Sequence, residues 1–180
     1  MINLGELRFI KEEEVELMRV WRNSPSVRNN MYTRHEISND EHQAWWNRTL
    51  QRKDQQYWMY AQDNEPLGIV AFTSIDLINK NCSWAFYASP EAPRGTGSKM
   101  EFLALEHAFD NLMLYKLYCE VLAYNTPVIK LHQKFGFQIE GIFRKHHKVD
   151  EGYTDIYRLG IFSSDWKKNR EMMLSKLVKK

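Results

Sequence analysis

Trp84 to Pro90 is an uncharged, aromatic stretch that runs straight into Glu91-Ala92-Pro93-Arg94-Gly95-Thr96-Gly97-Ser98-Lys99. A strand therefore meets a helix through a Gly-x-Gly turn. Glycines there let backbone N–H groups turn inward, and the helix N-terminus adds partial positive charge. The chemistry is that of an anion cradle, suited to a diphosphate on Arg94, Gly95, Thr96, Gly97, Ser98 and Lys99. The turn is not a Rossmann fingerprint, because the third Gly and the following acid are missing, and it is not a P-loop, because Gly-Lys-Ser/Thr is absent.

Those residues need elements to position them. Leu4–Ile10 reads as a short strand. Val15, Leu17, Met18 and Trp21 recur at helical spacing, so a helix spans Glu12 to Arg22. Ser24-Pro25 then starts a short second helix to about Tyr32. Ser38-Asn39-Asp40-Glu41 has the capping-box pattern, and a helix to about Gln51 turns Trp45, Trp46, Thr49 and Leu50 inward. Tyr57–Gln62, Leu67–Ile75 and Cys82–Ala88 follow as strands, the second without a single charge, as a buried strand reads. Ser98–Met113 is helical, Lys116–Tyr124 is a strand, and a helix from Thr126-Pro127 stops at Gly136, a C′ glycine. Phe137–Phe143 and Tyr153–Phe162 form a closing antiparallel pair, and a last helix carries Trp166, Met173, Leu174 and Leu177. The expected class is α/β (mixed α+β), a single domain over residues 1–180.

Charge and composition narrow the partners. Twenty-five Lys plus Arg oppose 23 Asp plus Glu, leaving +2. A near-neutral chain speaks against a nucleic-acid binder that works through a basic field. The stretch 163–180 is itself basic, which reads as a solvated helix face. No segment approaches the roughly 18 consecutive apolar residues of a membrane span. Cys82 and Cys119 sit in apolar stretches and have no metal-ligand spacing, so buried free thiols in a cytoplasmic protein are expected. His146 and His147 are adjacent, and in an extended segment they cannot face one ligand. Arg144–Lys148 reads as the loop between the last two strands, either solvated or a second contact to substrate phosphates. No metal is expected.

A second segment changes the weight of the first. Asn125-Thr-Pro-Val-Ile-Lys-Leu-His132-Gln-Lys-Phe-Gly136-Phe137 follows directly on a strand, some 30 residues after the Gly-x-Gly turn. The two together resemble the GNAT superfamily of acetyl-CoA-dependent N-acetyltransferases, with Asn125, Leu131, Lys134, Gly136 and Phe137 matching. The resemblance implies a GNAT fold, a central mixed sheet with two splayed parallel strands, Cys82–Ala88 and Lys116–Tyr124, flanked by helices. It implies acetyl-CoA as cosubstrate, its pantetheine arm against Phe86, Tyr87 and Ala88 and near Asn125, its pyrophosphate on the Arg94–Lys99 turn. Ala92 stands where Gln or Arg is usual, so one interaction with phosphate is either missing or supplied by Arg94. His132 stands where the superfamily has a Tyr near the coenzyme sulfur, and histidine serves as an acid more readily near neutral pH.

Val20-Trp21-Arg22-Asn23-Ser24-Pro25-Ser26-Val27-Arg28, with Met31 after it, is similar to the opening of several acetyltransferase subfamilies. One of them acetylates the 4-amino group of a UDP-linked amino-dideoxy sugar on the way to pseudaminic acid, used in flagellin glycosylation. That likeness implies an acceptor site from Arg22, Asn23, Met31, Tyr32, His42, Trp45 and Thr73. Arginines suit a diphosphate and flat rings suit uracil. Glu120 shares a strand face with Tyr118, Leu122 and Tyr124, so its carboxylate is either paired or aimed into a cleft to take the ammonium proton. Transfer is expected to be direct, in a ternary complex, with His132 returning a proton to sulfur. A homodimer is among the expected states. Two rivals stand beside this reading: an N-acetyltransferase of a protein N-terminus or other small amine, and an acyl-CoA-binding module without turnover.

Overall fold

The computed structural model describes residues 3–178. In chain order it runs β1 (Glu6–Arg8), a 3-10 turn (Glu12–Glu14), α1 (Val15–Asn23), α2 (Pro25–Arg28), α3 (Asn39–Leu50), β2 (Gln55–Gln62), β3 (Glu65–Asp76) and β4 (Asn81–Ala88). It continues with α4 (Thr96–Glu106), a π-helical turn (His107–Asn111), β5 (Lys116–Leu122), α5 (Thr126–Phe135), β6 (Gln138–Val149), β7 (Gly152–Phe162) and α6 (Ser163–Val178). The strands form one mixed sheet in the order β1-β2-β3-β4-β5-β7-β6. The expected mixed α/β class and element order are both present.

One junction in that sheet is parallel, and it is short. β4 and β5 pair only through Asn81–Lys116, Cys82–Leu117 and Ser83–Tyr118. β4 then continues to Ala88 held by β3, and β5 continues to Leu122 held by β7. Beyond Ser83 and Tyr118 the facing edges therefore part, which is the splay expected of these two strands.

Strand alternation sends side chains to two cores. Val70, Phe72, Trp84 and Leu117 go to one face, where Met100, Phe102 and Leu105 of α4, Phe135 of α5 and Trp166 of α6 meet them. Met59 and Ile69 go to the other, under Met18 and Trp21 of α1. Fully burying each such side chain is worth about 1.5–3 kcal/mol.

Several local expectations are corrected. The second helix ends at Arg28 rather than near Tyr32. Ser24 does not cap it, because its hydroxyl donates back to Trp21 O at 2.7 Å. On α3, Ser38 does cap, accepting from Glu41 N–H at 3.2 Å. Leu50, though, is 65% exposed, while His42 and Thr49 are the buried residues. Arg144–Lys148 is not a loop. It lies within β6, whose register slips between Phe143 and His147, and the turn is only Asp150-Glu151. On α6 the lysines Lys167 and Lys168 face solvent, while Arg170 bonds Glu106. Lys179 and Lys180 lie outside the described residues.

Candidate active site

The parted edges of β4 and β5 open into a cavity of about 380 Å³. Trp84, Phe86, Tyr87 and Ala88 line it from β4, and Cys119, Glu120 and Val121 from β5. Asn125 at the start of α5 and Val128 and His132 within it line it too, as do Ser26, Val27, Asn30 and Met31. The separation leaves the outer edge of β4 from Trp84 onward without a strand partner, so its N–H and C=O groups are free for a ligand arm lying along it.

At the end of β4 the chain turns into α4. Gly95 caps the helix in the left-handed region, φ +98°, and no atom would meet a Cβ there within 4 Å. Three amides of the expected cradle are already used inside the turn: Thr96 N–H bonds Pro93 O, and Ser98 and Lys99 N–H bond Gly95 O. That narrows the amides offered to a diphosphate to Arg94, Gly95 and Gly97. The Thr96 hydroxyl is spent on Pro93 O, and the Lys99 ammonium on Gln62 and Asn3 O. Arg94 and Lys99 nonetheless border a basic hollow with Lys134 and Lys176, beside the turn.

α5 starts after Asn125 and ends at Gly136, φ +109°. This one helix carries His132 to the wall of the cavity. The ring is 2% exposed and packs among Trp84, Phe86 and Phe137, with centroids 5.2–6.0 Å apart. Its Nδ1 lies 2.9 Å from Oε1 of Glu101, a fully buried residue of α4. Burial alone would lower the imidazole, but the Glu101 carboxylate, with the Cys119 thiol adding to it, outweighs burial and pushes it up to about 10. Burial also pushes Glu101 up, against the pull of His132. Both members rise, so the pair holds a shared proton across neutral pH.

Glu120 answers both sequence readings at once. It lines the cavity, and it is paired: Oε1 accepts from Arg158 Nη1 at 2.9 Å and Oε2 from the Tyr32 hydroxyl at 2.8 Å. Burial, and then the Glu120 bond, keep Tyr32 protonated well above the usual phenol range.

A second cavity, about 360 Å³, opens on the other side of Tyr87 and Met31. Arg22, Thr33, Ile37, His42, Trp45, Arg48, Tyr57 and Thr73 are among its walls. Arg22 donates Nη2 to Thr33 O at 3.1 Å, while its Nη1 is buried and has no partner. Burial, with Arg28 nearby, lowers this guanidinium from its ordinary value, yet a guanidinium stays cationic. His42 bonds Val15 O through Nε2 at 2.9 Å, and Trp45 stacks on its ring and meets Tyr57 edge-on. Asn23 is not a wall. Its amide clamps Ile37 from both sides, Nδ2 to Ile37 O and Ile37 N to Oδ1, each 2.8 Å. It braces the 29–38 segment that closes the pocket.

The GNAT acetyltransferase domain model matches residues 6–138. The chain belongs to the GNAT acetyltransferase family. The enzyme is thus an acetyl-CoA-dependent N-acetyltransferase. It is 28% identical to the acetyltransferase PseH of Campylobacter jejuni strain 81-176 over 167 residues, covering 93% of this chain and 98% of that one. It is 29% identical to the spermidine N(1)-acetyltransferase of Escherichia coli K12 over 105 residues, 58% of this chain and 56% of that one. Its fold matches the spermidine N-acetyltransferase of Vibrio cholerae in complex with CoA and spermine, with a TM-score of 0.84 at 21% identity, over 90% and 97% of the two chains. Among the described residues no helix is long and apolar enough to cross a membrane.

The structure thus gathers Phe86–Ala88, Asn125, His132 and Glu120 around one cavity, and Arg22, His42, Trp45 and Thr73 around the other, with Met31 and Tyr87 shared. Sequence reading missed Glu101, Arg158 and Tyr57. Glu101 left a signal: with Gly97, Leu105 and Ala108 it falls on one helical stripe that is otherwise small or apolar.

Proposed function

We propose that the enzyme transfers the acetyl group of acetyl-CoA to the 4-amino group of a UDP-linked amino-dideoxy sugar, by direct transfer in a ternary complex. The carrying observation is Arg22, a half-buried side chain whose Nη1 is buried and unpartnered, in a pocket walled by Trp45 and Tyr57. A half-buried cation with a free donor wants an anion, and guanidinium matches phosphate geometry. A polyamine pocket would instead gather carboxylates. Glu41 is the acid among these walls, and its side chain is engaged by His35 at 3.0 Å. The likeness to PseH over nearly the full length of both chains supports the same acceptor. A cytoplasmic place in pseudaminic acid synthesis, and a homodimer, belong to this proposal.

The residues divide the work as follows. Trp84–Ala88 lend the free edge of β4 to the pantetheine arm, and Arg94, Gly95 and Gly97 lend amides to the pyrophosphate. Glu120, directly or through a water, takes the proton that the amine loses as its nitrogen bonds the acetyl carbon. His132 gives a proton from its cavity-facing nitrogen to the sulfur as the carbon–sulfur bond breaks. One proton leaves nitrogen and one reaches sulfur, so the exchange balances.

The deciding experiment is a mass-spectrometric screen with acetyl-CoA against a UDP-4-amino sugar, spermidine and N-terminal peptides. Acetylation of the nucleotide sugar is expected. Product from spermidine or a peptide, with none from any nucleotide sugar, overturns this reading.

A further inference from the structure

Glu101 takes no part in the chemistry above, yet it is held where a carboxylate is costly. Its side chain is fully buried, Oε1 bonds His132, and Oε2 has no partner. Leaving one oxygen of a buried carboxylate unsatisfied costs about 1–3 kcal/mol, more when it is charged. A merely structural position in this stripe, beside Met100, Ala104 and Leu105, is filled more stably by an apolar side chain.

We propose that Glu101 is the positioning residue of the proton donor: by engaging Nδ1 of His132 from α4, it commits Nε2 to the cavity and keeps that nitrogen protonated. This deepens the assignment of His132 as proton donor and rests on it. The geometry leaves the ring little choice. Trp84, Phe86 and Phe137 wall its faces, α4 occupies one nitrogen, and the other is the one left for the cavity the ring lines. If Glu101 is ionised, His132 is the imidazolium and Nε2 carries a proton. If the shared proton sits on Glu101, the carboxyl donates to Nδ1 and Nε2 again carries the hydrogen. In both arrangements the group facing the departing sulfur is an N–H donor, which a lone buried histidine would not guarantee. Few other charges act there. The Cys119 thiol of β5, itself a wall of the cavity, lies within hydrogen-bond reach of the ring, Lys134 of α5 acts on Glu101, and Trp84 and Phe86 of β4 bring only aromatic surface.

The test is a pH titration of His132 by ¹⁵N-histidine NMR, read beside steady-state kinetics with acetyl-CoA and the UDP-4-amino sugar. In the wild type Nε2 should keep its hydrogen past pH 8. In Glu101→Gln the midpoint should drop by about two units or more, and the alkaline limb of kcat should move down with it. kcat at pH 8 should fall about 10- to 100-fold with KM for acetyl-CoA unchanged. Glu101→Asp, which restores the charge, should return the midpoint toward the wild-type value. A Glu101→Gln protein with the wild-type midpoint and limb overturns the proposal, even if its turnover is low. If that variant does not fold, the wild type decides alone: an Nε2 that has already lost its hydrogen by pH 8 overturns it. Wild-type turnover in His132→Phe sinks the proton-donor assignment instead, and the titration then still reads whether the pair shares its proton.

Discussion

The Tyr32 hydroxyl donates to Oε2 of Glu120 across 88 positions of sequence, at 2.8 Å. That bond ties the segment between α2 and α3, which closes the acceptor pocket, to the splayed strand β5. The other carboxylate oxygen takes Arg158, whose guanidinium lies 3.6 Å over the Tyr118 ring. Acceptor side and cofactor side are thereby joined through one acid.

If Glu120 receives the amine proton, Glu120→Gln keeps the shape and removes the base. Turnover is expected to fall about 100-fold, with CoA affinity unchanged by calorimetry. Tyr32→Phe, which removes one donor and leaves the charge, should cost far less. A Glu120→Gln enzyme with wild-type kcat removes this residue from the proton path.

Arg22→Gln deletes the pocket's half-buried cation. A charged hydrogen bond to an anionic acceptor contributes about 1.5–3 kcal/mol, so KM for the nucleotide sugar should rise about 10- to 100-fold. The acetyl-CoA KM should not move. A rise confined to acetyl-CoA would place Arg22 on the wrong side of Tyr87.

His132 also links stability to pH. Its folded value is raised from 6.5 to about 10. The stabilisation is therefore complete below 6.5 and is lost as pH climbs toward 10, and the raised Glu101 acts in the same sense. Thermal melts should fall across that alkaline window. His132→Phe should abolish turnover and, by leaving the buried Glu101 carboxyl without its partner, should still lose stability as pH rises, while His132→Tyr should retain much of the turnover.

Two glycines separate backbone strain from crowding. Gly95 has φ +98° and open space around it, so Gly95→Ala should cost about 1–2 kcal/mol of backbone strain and weaken CoA binding. At Gly136 a Cβ would also come within 2.5 Å of Asn169 Nδ2. Gly136→Ala should be the more destabilising of the two in urea titrations.

Trp166 is 1% exposed and donates Nε1 to Glu106 at 2.9 Å. Trp166→Ala should cost about 3–5 kcal/mol, and Trp166→Phe much less, by chemical denaturation. Equal losses would assign the effect to the Glu106 bond rather than to the volume.

Much of this molecule is legible from its residues, for identifiable reasons. The Gly-x-Gly turn, the Pro at α5 and the Gly at its end mark their elements through backbone constraints that act locally. The charge-free run of β3 and the alternation of Leu117, Cys119 and Val121 mark buried strand faces in the same way. The motif around His132 points to it but not to its partner, because Glu101 is reached only when α4 is laid against α5. Asn23 reads as a ligand from its neighbours in sequence, whereas its amide is spent on Ile37, fourteen residues on. Arg144–Lys148 reads as a loop because charge runs resemble loops. On an edge strand the same charges are at home, since they discourage pairing with other chains.

The three-residue seam between β4 and β5 also bears on how the molecule assembles. β2, β3 and β4 pair as successive neighbours and β6 and β7 form a hairpin, so these contacts close over short stretches of chain, while β5 and β7 close a longer loop with seven residue pairs to reward it. The seam closes only after the α4 crossover has been traversed, and it has little pairing to reward that search. Assembly of the two half-sheets is therefore expected to be the slow, least cooperative step. A ligand lying across both would act as the clasp that makes them melt as one.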